Sequence, residues 1–298
     1  MSWDIASGAG ITALGLAAAR SVESGRPDRL IEDPFARTLF DAARADLPML
    51  VDWPGPGVSI SDTEALHLHG SRYIGLRTRY YDDALLAAAR DGLTQGVLLG
   101  AGLDTRAFRL DLPADFHLFE LDQPGVLEFK SATLQDLAAE PRCSHSSIGI
   151  DLREDWPAAL QAAGFEPRRP TVWVAEGLLA YLPPEAQSGL VSAIHDLAAR
   201  GSVLVLDRIA GDPAAPDRLK ALSERSGIDM EGLLANGDSS DVAASLSAKG
   251  WIADEEQTAI VADRYGRDLG DPLPDGPDPR PSEPPWLDTV FLRARQPA

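Results

Sequence analysis

Gly100, Ala101 and Gly102 follow the apolar run Val97-Leu98-Leu99, and Asp122 closes the next such run, Phe119-Glu120-Leu121. Glycines at the end of a strand let the backbone turn sharply and approach a ligand where a side chain would collide. An acid ending the following strand can accept both hydroxyls of a ribose. Gly102 and Asp122 are separated by 20 residues, the spacing of a nucleotide fingerprint, so this segment predicts an enzyme using an adenosine-bearing cofactor. The dinucleotide version of the fingerprint wants a third glycine three residues after the second. Thr105 stands there, which counts against NAD.

These residues need a scaffold, and the chain from residue 96 onward supplies one. Short apolar segments at 97–99, 117–121, 148–150, 171–175 and 202–206 alternate with helical patterns. Such alternation predicts an α/β fold with parallel strands joined by right-handed crossovers, and ligands bound beyond the carboxyl ends of the strands. Gly100, Asp122, Asp151 and Glu176 all fall at such ends. Residues 251–261 and 287–294 read as two more strands, with a proline-rich surface loop at 272–285 between them.

Residues 1–95 carry no convincing strand and read as a helical cap. Asp33-Pro34 is a cap and first-turn pair, Phe35, Leu39 and Ala43 recur at four-residue spacing, and Ser61 to Glu64 has the spacing of a capping box. Residues 48–61 contain Trp53-Pro54-Gly55-Pro56-Gly57, a composition that resists regular structure and suits either a connector or a lid over a ligand. The division expected is a cap and lid over 1–95 and a Rossmann-like core over 96–298.

The 298 residues carry a net charge of -19. Binding to a phosphate backbone needs clustered cations, so the charge argues against nucleic acid as a partner. It does not exclude a carboxylate substrate, because arginines in a pocket can reverse the local potential within a Debye length of roughly 8 to 10 Å. The apolar stretch 11–19 follows Asp4 without a basic leader, and no run approaches the roughly 20 residues that span a bilayer. The expectation is an amphipathic cap helix, no membrane partner and a cytoplasmic location. A single cysteine, Cys143, permits no intrachain disulfide. None of the five histidines pairs with another at the four-residue helical spacing of a metal site, so no metal is expected.

The wording around the glycine turn, Gly100-Ala101-Gly102-Leu103-Asp104-Thr105-Arg106, resembles the leucine carboxyl methyltransferase-like family of S-adenosylmethionine-dependent methyltransferases. The likeness extends to Ala19-Arg20-Ser21-Val22-Glu23-Ser24, Asp33-Pro34-Phe35-Ala36, Arg77-Thr78-Arg79-Tyr80-Tyr81-Asp82-Asp83, Asp151-Leu152-Arg153-Glu154-Asp155-Trp156 and Glu176-Gly177-Leu178-Leu179-Ala180-Tyr181-Leu182. A fainter echo is Tyr265-Gly266-Arg267. The resemblance implies a class I methyltransferase sheet, mostly parallel with an antiparallel last strand, and S-adenosyl-L-methionine as cofactor. Residue by residue, it implies that Gly100 and Gly102 admit the methionyl part and Asp122 holds the ribose. Glu120 competes for the ribose, but its earlier place in the strand suits a supporting role. Asp151 would accept the adenine amino group, with the Leu152 backbone N–H beside it. Arg79 would pair with the cofactor carboxylate, with Arg77 as its rival, and Glu176 would take the ammonium. Arg20, Arg153 and Tyr181 would stand near the methyl acceptor. In the phosphatase methyltransferases of the family the cation at the first of these positions is lysine, so Arg20 departs from that pattern.

A sulfonium methyl is already activated, so in-line displacement needs mainly an aligned nucleophile and the exclusion of water. An ionised carboxylate needs no general base, whereas an aliphatic hydroxyl does. The expectation is O-methylation of a small-molecule carboxylate or acidic hydroxyl. The alternatives are an NAD(P)-dependent oxidoreductase, which lacks its Tyr-x-x-x-Lys pair here, and a non-catalytic cofactor-binding partner protein.

Overall fold

The computed structural model describes residues 5, 9–45, 47, 49–55, 58–209, 220, 223, 242–269 and 289–297. Three helices precede the first strand: α1 (Ala9–Ser24), α2 (Ala36–Ala42) and α3 (Asp62–Arg90). Then follow β1 (Gln95–Leu99), α4 (Arg106–Arg109), β2 (His117–Asp122), α5 (Pro124–Asp136), β3 (Ser144–Gly149), α6 (Trp156–Ala162) and β4 (Val172–Ala175). A short 3-10 turn (Leu179–Tyr181) leads to α7 (Pro184–Leu197) and β5 (Val203–Ile209). The described elements end with α8 (Val242–Ala248), β6 (Ile252–Gln257), α9 (Thr258–Arg264) and β7 (Thr289–Arg295).

The strands form one sheet in the order β3-β2-β1-β4-β5-β7-β6. The first five pair in parallel, and β7 runs antiparallel to both β5 and β6. This is the mostly parallel sheet with an antiparallel last strand that the family resemblance implies. Every residue of β1 and β4 is buried, because helices cover both faces, and their continuous apolar runs follow from that. On one face Leu98, Val174, Val205 and Phe291 pack with Tyr80, Tyr81 and Leu85 of α3. On the other, Val97, Trp173 and Leu204 pack with Leu160 of α6, Ile194 of α7 and Leu246 of α8.

The division at residue 95 is therefore a boundary in the chain and not in the packing, since α3 is one of the layers covering the sheet. Its start is the capping box expected at Ser61 and Glu64, with both reciprocal hydrogen bonds formed. Asp33 also acts as read, its Oδ1 accepting the N–H groups of Phe35 and Ala36 at the entry to α2.

Two strands differ from expectation. Residues 251–261 are not one strand: β6 ends at Gln257 and α9 begins at Thr258. Val261 and Ala262 are consecutive and both buried in the same cluster, which a helix permits and the alternating faces of a strand do not. β3 starts four residues before 148, in the serine-rich stretch Ser144 to Ser147. It is an edge strand, half exposed, so hydrophobicity marks only its end. The loop expected at 272–285 lies outside the described residues, as do Pro48, Pro56 and Gly57 of the 48–61 segment. Among the described residues no helix is long and apolar enough to cross a membrane.

Candidate functional site

β1 lies between β2 and β4, so the chain leaves it in opposite directions across the sheet, and a crevice opens at the carboxyl ends of these strands. A cavity of about 530 Å³ occupies that crevice, within the range of small-molecule sites. Gly100, Gly102, Asp122, Asp151, Leu152 and Glu176 all line it, as do Arg20, Arg153 and Tyr181. Helix α1 adds a further part of the wall, through Thr12, Ala13, Leu16 and Arg20. None of the described residues of 48–61 lines it. Trp53 instead lies under the Arg26 guanidinium, 4.5 Å from its ring centroid, and packs beside Val22 and Leu68.

The glycine turn and the acid after β2 form a single unit. Gly100 and Gly102 have φ of 68° and 50°, the left-handed region that glycine enters without steric cost. Gly100 and Ala101 donate their N–H groups to the Leu121 carbonyl. The Asp122 Oδ2 accepts the Gly102 N–H at 2.7 Å, and its Oδ1 accepts the Gln123 N–H at 2.6 Å. The carboxylate is thus fixed in orientation at the cavity wall. Burial pushes its pKa up, and the two N–H groups only partly counter that.

Glu120 is fully buried behind this unit, paired with Lys130 at 2.8 Å. Lys130 also donates to the Asp104 carbonyl, so the pair supports the turn from beneath, the supporting role anticipated for Glu120. Thr105, in the slot of the third glycine, is buried. Its hydroxyl donates to Asp33 and accepts from Arg109. The helix after the turn, α4, has only four residues, too short to present the strong N-terminal dipole that a pyrophosphate uses.

The opposite end of the cavity holds Glu176 between two arginines. Arg77 Nε donates to Glu176 Oε1 at 2.9 Å and Arg106 Nη1 to Oε2 at 2.8 Å. Burial alone would raise the Glu176 pKa, but the Arg106 and Arg77 guanidiniums overcome it and hold the carboxyl at about 2. Arg77 also lies 4.0 Å from Asp207 of β5, whose carboxylate accepts from the Tyr81 hydroxyl and the Gly177 N–H. Of the expected Arg79 and its rival Arg77, it is Arg77 that lines the cavity, and Arg79 does not. Arg79 points the other way, bonded to Asp83 at 3.0 Å and lying 5.7 Å from the Tyr265 ring centroid. The two residues differ by about 200° around α3, so only one can face the sheet.

Arg20, Arg153 and Tyr181 reach the cavity in different ways. Arg20 is buried, its Nε on Asp33 at 2.8 Å and its Nη2 on the Leu103 carbonyl at 2.7 Å, so it ties α1 to the glycine turn. Arg153 lies at the mouth, with 75% of its side chain exposed, and folds back on Asp151 at 2.5 Å. Asp151, expected to face adenine, is occupied by that pair. Tyr181 ends the 3-10 turn over the cavity.

Sequence reasoning gave no role to Asp104, Arg106, Arg109 and Asp82. Arg106 bonds Asp82, Asp104 and Glu176, and Arg109 grips both Asp82 oxygens. Their signal was the pairing of acids and arginines within the Arg77-to-Asp83 and Asp104-to-Arg109 stretches. The five histidines supply no base at the cavity. His117 stacks on Phe119, His145 faces Glu120, and His195 accepts from the Trp251 indole. Among the described residues no cluster could hold a metal ion.

The donor set fits the cofactor implied by the sequence. A fixed carboxylate beside a glycine turn suits a ribose diol, and the Arg77–Glu176 pair presents a cation and an anion together, as the zwitterionic end of an amino acid requires.

Comparison with known proteins agrees. A protein of Saccharopolyspora erythraea assigned as an S-adenosyl-L-methionine-dependent methyltransferase is 43% identical over 271 residues, covering 90% of this chain and 92% of its own. One from Mycolicibacterium smegmatis with the same assignment is 42% identical over 286 residues, covering 93% and 94%. Among solved structures, a protein of Thermobifida fusca assigned as a methyltransferase superposes with a TM-score of 0.54 at 19% identity, covering 96% of this chain and 94% of its own, which shows a shared fold. Residues 13–195 match the leucine carboxyl methyltransferase family, and with relatives of this identity along nearly its whole length, the chain belongs to that family.

Proposed function

We propose that this protein is an S-adenosyl-L-methionine-dependent O-methyltransferase acting on a carboxylate or acidic hydroxyl of a small molecule. The observation that carries the reading is the convergence of four strand-end groups, Gly100, Asp122, Asp151 and Glu176, on one cavity. Asp122 would hold the ribose hydroxyls, Arg77 and Glu176 the amino-acid end, and Leu152 with Asp151 the adenine. When bound, the cofactor supplies a methyl group already activated by its positively charged sulfur.

The protein's own contribution is positioning and the exclusion of water. Helix α1 covers the cavity and is held there by Arg20, which spans from Asp33 to the Leu103 carbonyl. No histidine lies at the cavity, so the acceptor oxygen must ionise without a strong protein base, which favours an acidic group. The buried Thr105 side chain and the four-residue α4 speak against a dinucleotide in the same place.

Incubation with methyl-labelled S-adenosylmethionine and a panel of carboxylic and phenolic acceptors tests this reading. Label is expected in an organic-soluble product, released by alkali if an ester has formed and retained if an ether has. Label that remains entirely in the cofactor across the panel, with hydride exchange from NADPH instead, would replace it with the oxidoreductase alternative.

A further inference from the structure

Asp207 is a buried acid that the proposed function leaves unused. Strands β4 and β5 pair in parallel as far as Ala175 and Leu206, so Glu176 and Asp207 are the next residues on neighbouring strands. Val174 and Val205 pack toward α3, and alternation along a strand sends Glu176 and Asp207 to that same face. There they meet Arg77 and Tyr81, which stand one turn apart on α3. Asp207 Oδ1 accepts the Tyr81 hydroxyl at 2.5 Å and the Gly177 N–H at 2.7 Å, and Oδ2 lies 4.0 Å from Arg77 Nη1. One carboxylate thus holds the turn that follows Glu176 and faces the arginine that bonds Glu176.

Gly177 has φ of 62°, and a Cβ there would stand 3.0 Å from Arg77 Nη1 and 3.2 Å from Nη2. The guanidinium therefore lies against the backbone of the turn, and the place of that backbone sets the place of the guanidinium. Burying a charge without a partner is costly, and Arg77 is buried. Asp207 gives it a second acid, so the guanidinium keeps a partner of its own when Glu176 also takes up an ammonium. Asp207 does not itself line the cavity, so its effect on a ligand passes through Arg77 and Gly177. We propose that Asp207 is a positioning residue for the amino-acid end of the cofactor, setting Arg77 and the turn from Glu176 to Gly177 in place to receive its carboxylate and ammonium. This inference rests on the methyl-transfer reading of the cavity.

The test compares two ligands, S-adenosylhomocysteine and methylthioadenosine, titrated calorimetrically into the unaltered protein and into Asp207→Asn. Both carry adenine and ribose, and only the first carries the amino-acid end. In the variant the amide oxygen keeps the Tyr81 and Gly177 donors, which turns the amide nitrogen toward the guanidinium, donor against donor. S-adenosylhomocysteine is expected to bind roughly tenfold more weakly, with methylthioadenosine unchanged. Tyr81→Phe removes one contact of Asp207 without altering its charge, and a smaller loss of roughly threefold is expected with the same selectivity. Should Asp207→Asn not fold, Tyr81→Phe decides by the same criterion. Failure of either ligand to bind the unaltered protein would overturn the placement of the cofactor in the cavity, and this inference with it. If both bind, equal weakening of the two ligands would show a merely structural role for Asp207, and unchanged or tighter binding of S-adenosylhomocysteine would show that Asp207 only competes for Arg77. Either result overturns this inference alone.

Discussion

At the scale of single residues, the site is a set of carboxylates whose states are fixed by what surrounds them. Glu176 is held ionised by two guanidiniums, and Asp122 is raised by burial. Arg77 sets its Nε on Glu176 and its Nη1 4.0 Å from Asp207, a planar spread of donors that lysine cannot reproduce. Arg77→Lys should therefore weaken binding of S-adenosylhomocysteine by roughly tenfold or more, and Arg79→Lys should leave it unchanged, both measured by calorimetry. The reverse pattern would return the role to Arg79. The sequence placed both arginines in one motif, but separation by two residues on a helix leaves the inward one undecided until α3 is docked on the sheet.

At the scale of elements, the cavity depends on how α1 is held against α3. A Cβ on Gly75 of α3 would stand 2.5 Å from the Glu23 side chain of α1. Glu23 cannot yield, because it is buried and bonded to Arg267 at 2.7 Å and to the Leu30 N–H at 2.8 Å. Gly75→Ala should thus cost about 1 to 3 kcal/mol of stability in urea unfolding, and it should also weaken ligand binding because α1 covers the cavity. Unchanged stability would show that α1 does not pack so closely. The capping box at the start of α3 gives a second prediction. Ser61→Ala should lower stability by about 1 kcal/mol and leave ligand affinity unaltered; a loss of affinity without a loss of stability would contradict the purely structural place of Ser61. Elements were legible where period and capping agree, as at Ser61 and Glu64. They were not where a short helix follows a strand without punctuation, as at Thr258, or where an edge strand is rich in serine, as at Ser144 to Ser147.

At the scale of the whole molecule, the fold could be read because parallel strands buried on both faces leave uninterrupted apolar runs, and the acids that end them show where a ligand belongs. The arginine network could not be read, because Arg77, Arg106 and Glu176 are joined only by the closing of the sheet. Its ion pairs predict how stability depends on pH. Glu176 and Glu120 both have folded pKa values lowered to about 2 from 4.5, Glu120 through Lys130 after burial is overcome. A lowered pKa contributes stability that is fully present above the unfolded value and is lost as pH falls from about 4.5 through about 2. For Glu176 the shift corresponds to about 3 kcal/mol. Burial raises Asp104, Asp122 and Asp207, and their opposite sign offsets part of the loss. Urea unfolding should show Glu176→Gln costing more stability at pH 6 than at pH 3; an equal cost at both would mean that Glu176 is not held ionised by its arginines.

The central claim is that the crevice at the strand ends binds an adenosine-bearing methyl donor through Asp122. Calorimetric titration of the protein and of Asp122→Ala with S-adenosylhomocysteine and with NAD tests it directly. The expected result is one site for S-adenosylhomocysteine, weakened by about 2 to 3 kcal/mol in the variant, and no binding of NAD. Binding of NAD alone, or equal affinity for S-adenosylhomocysteine in a folded Asp122→Ala protein, would contradict it.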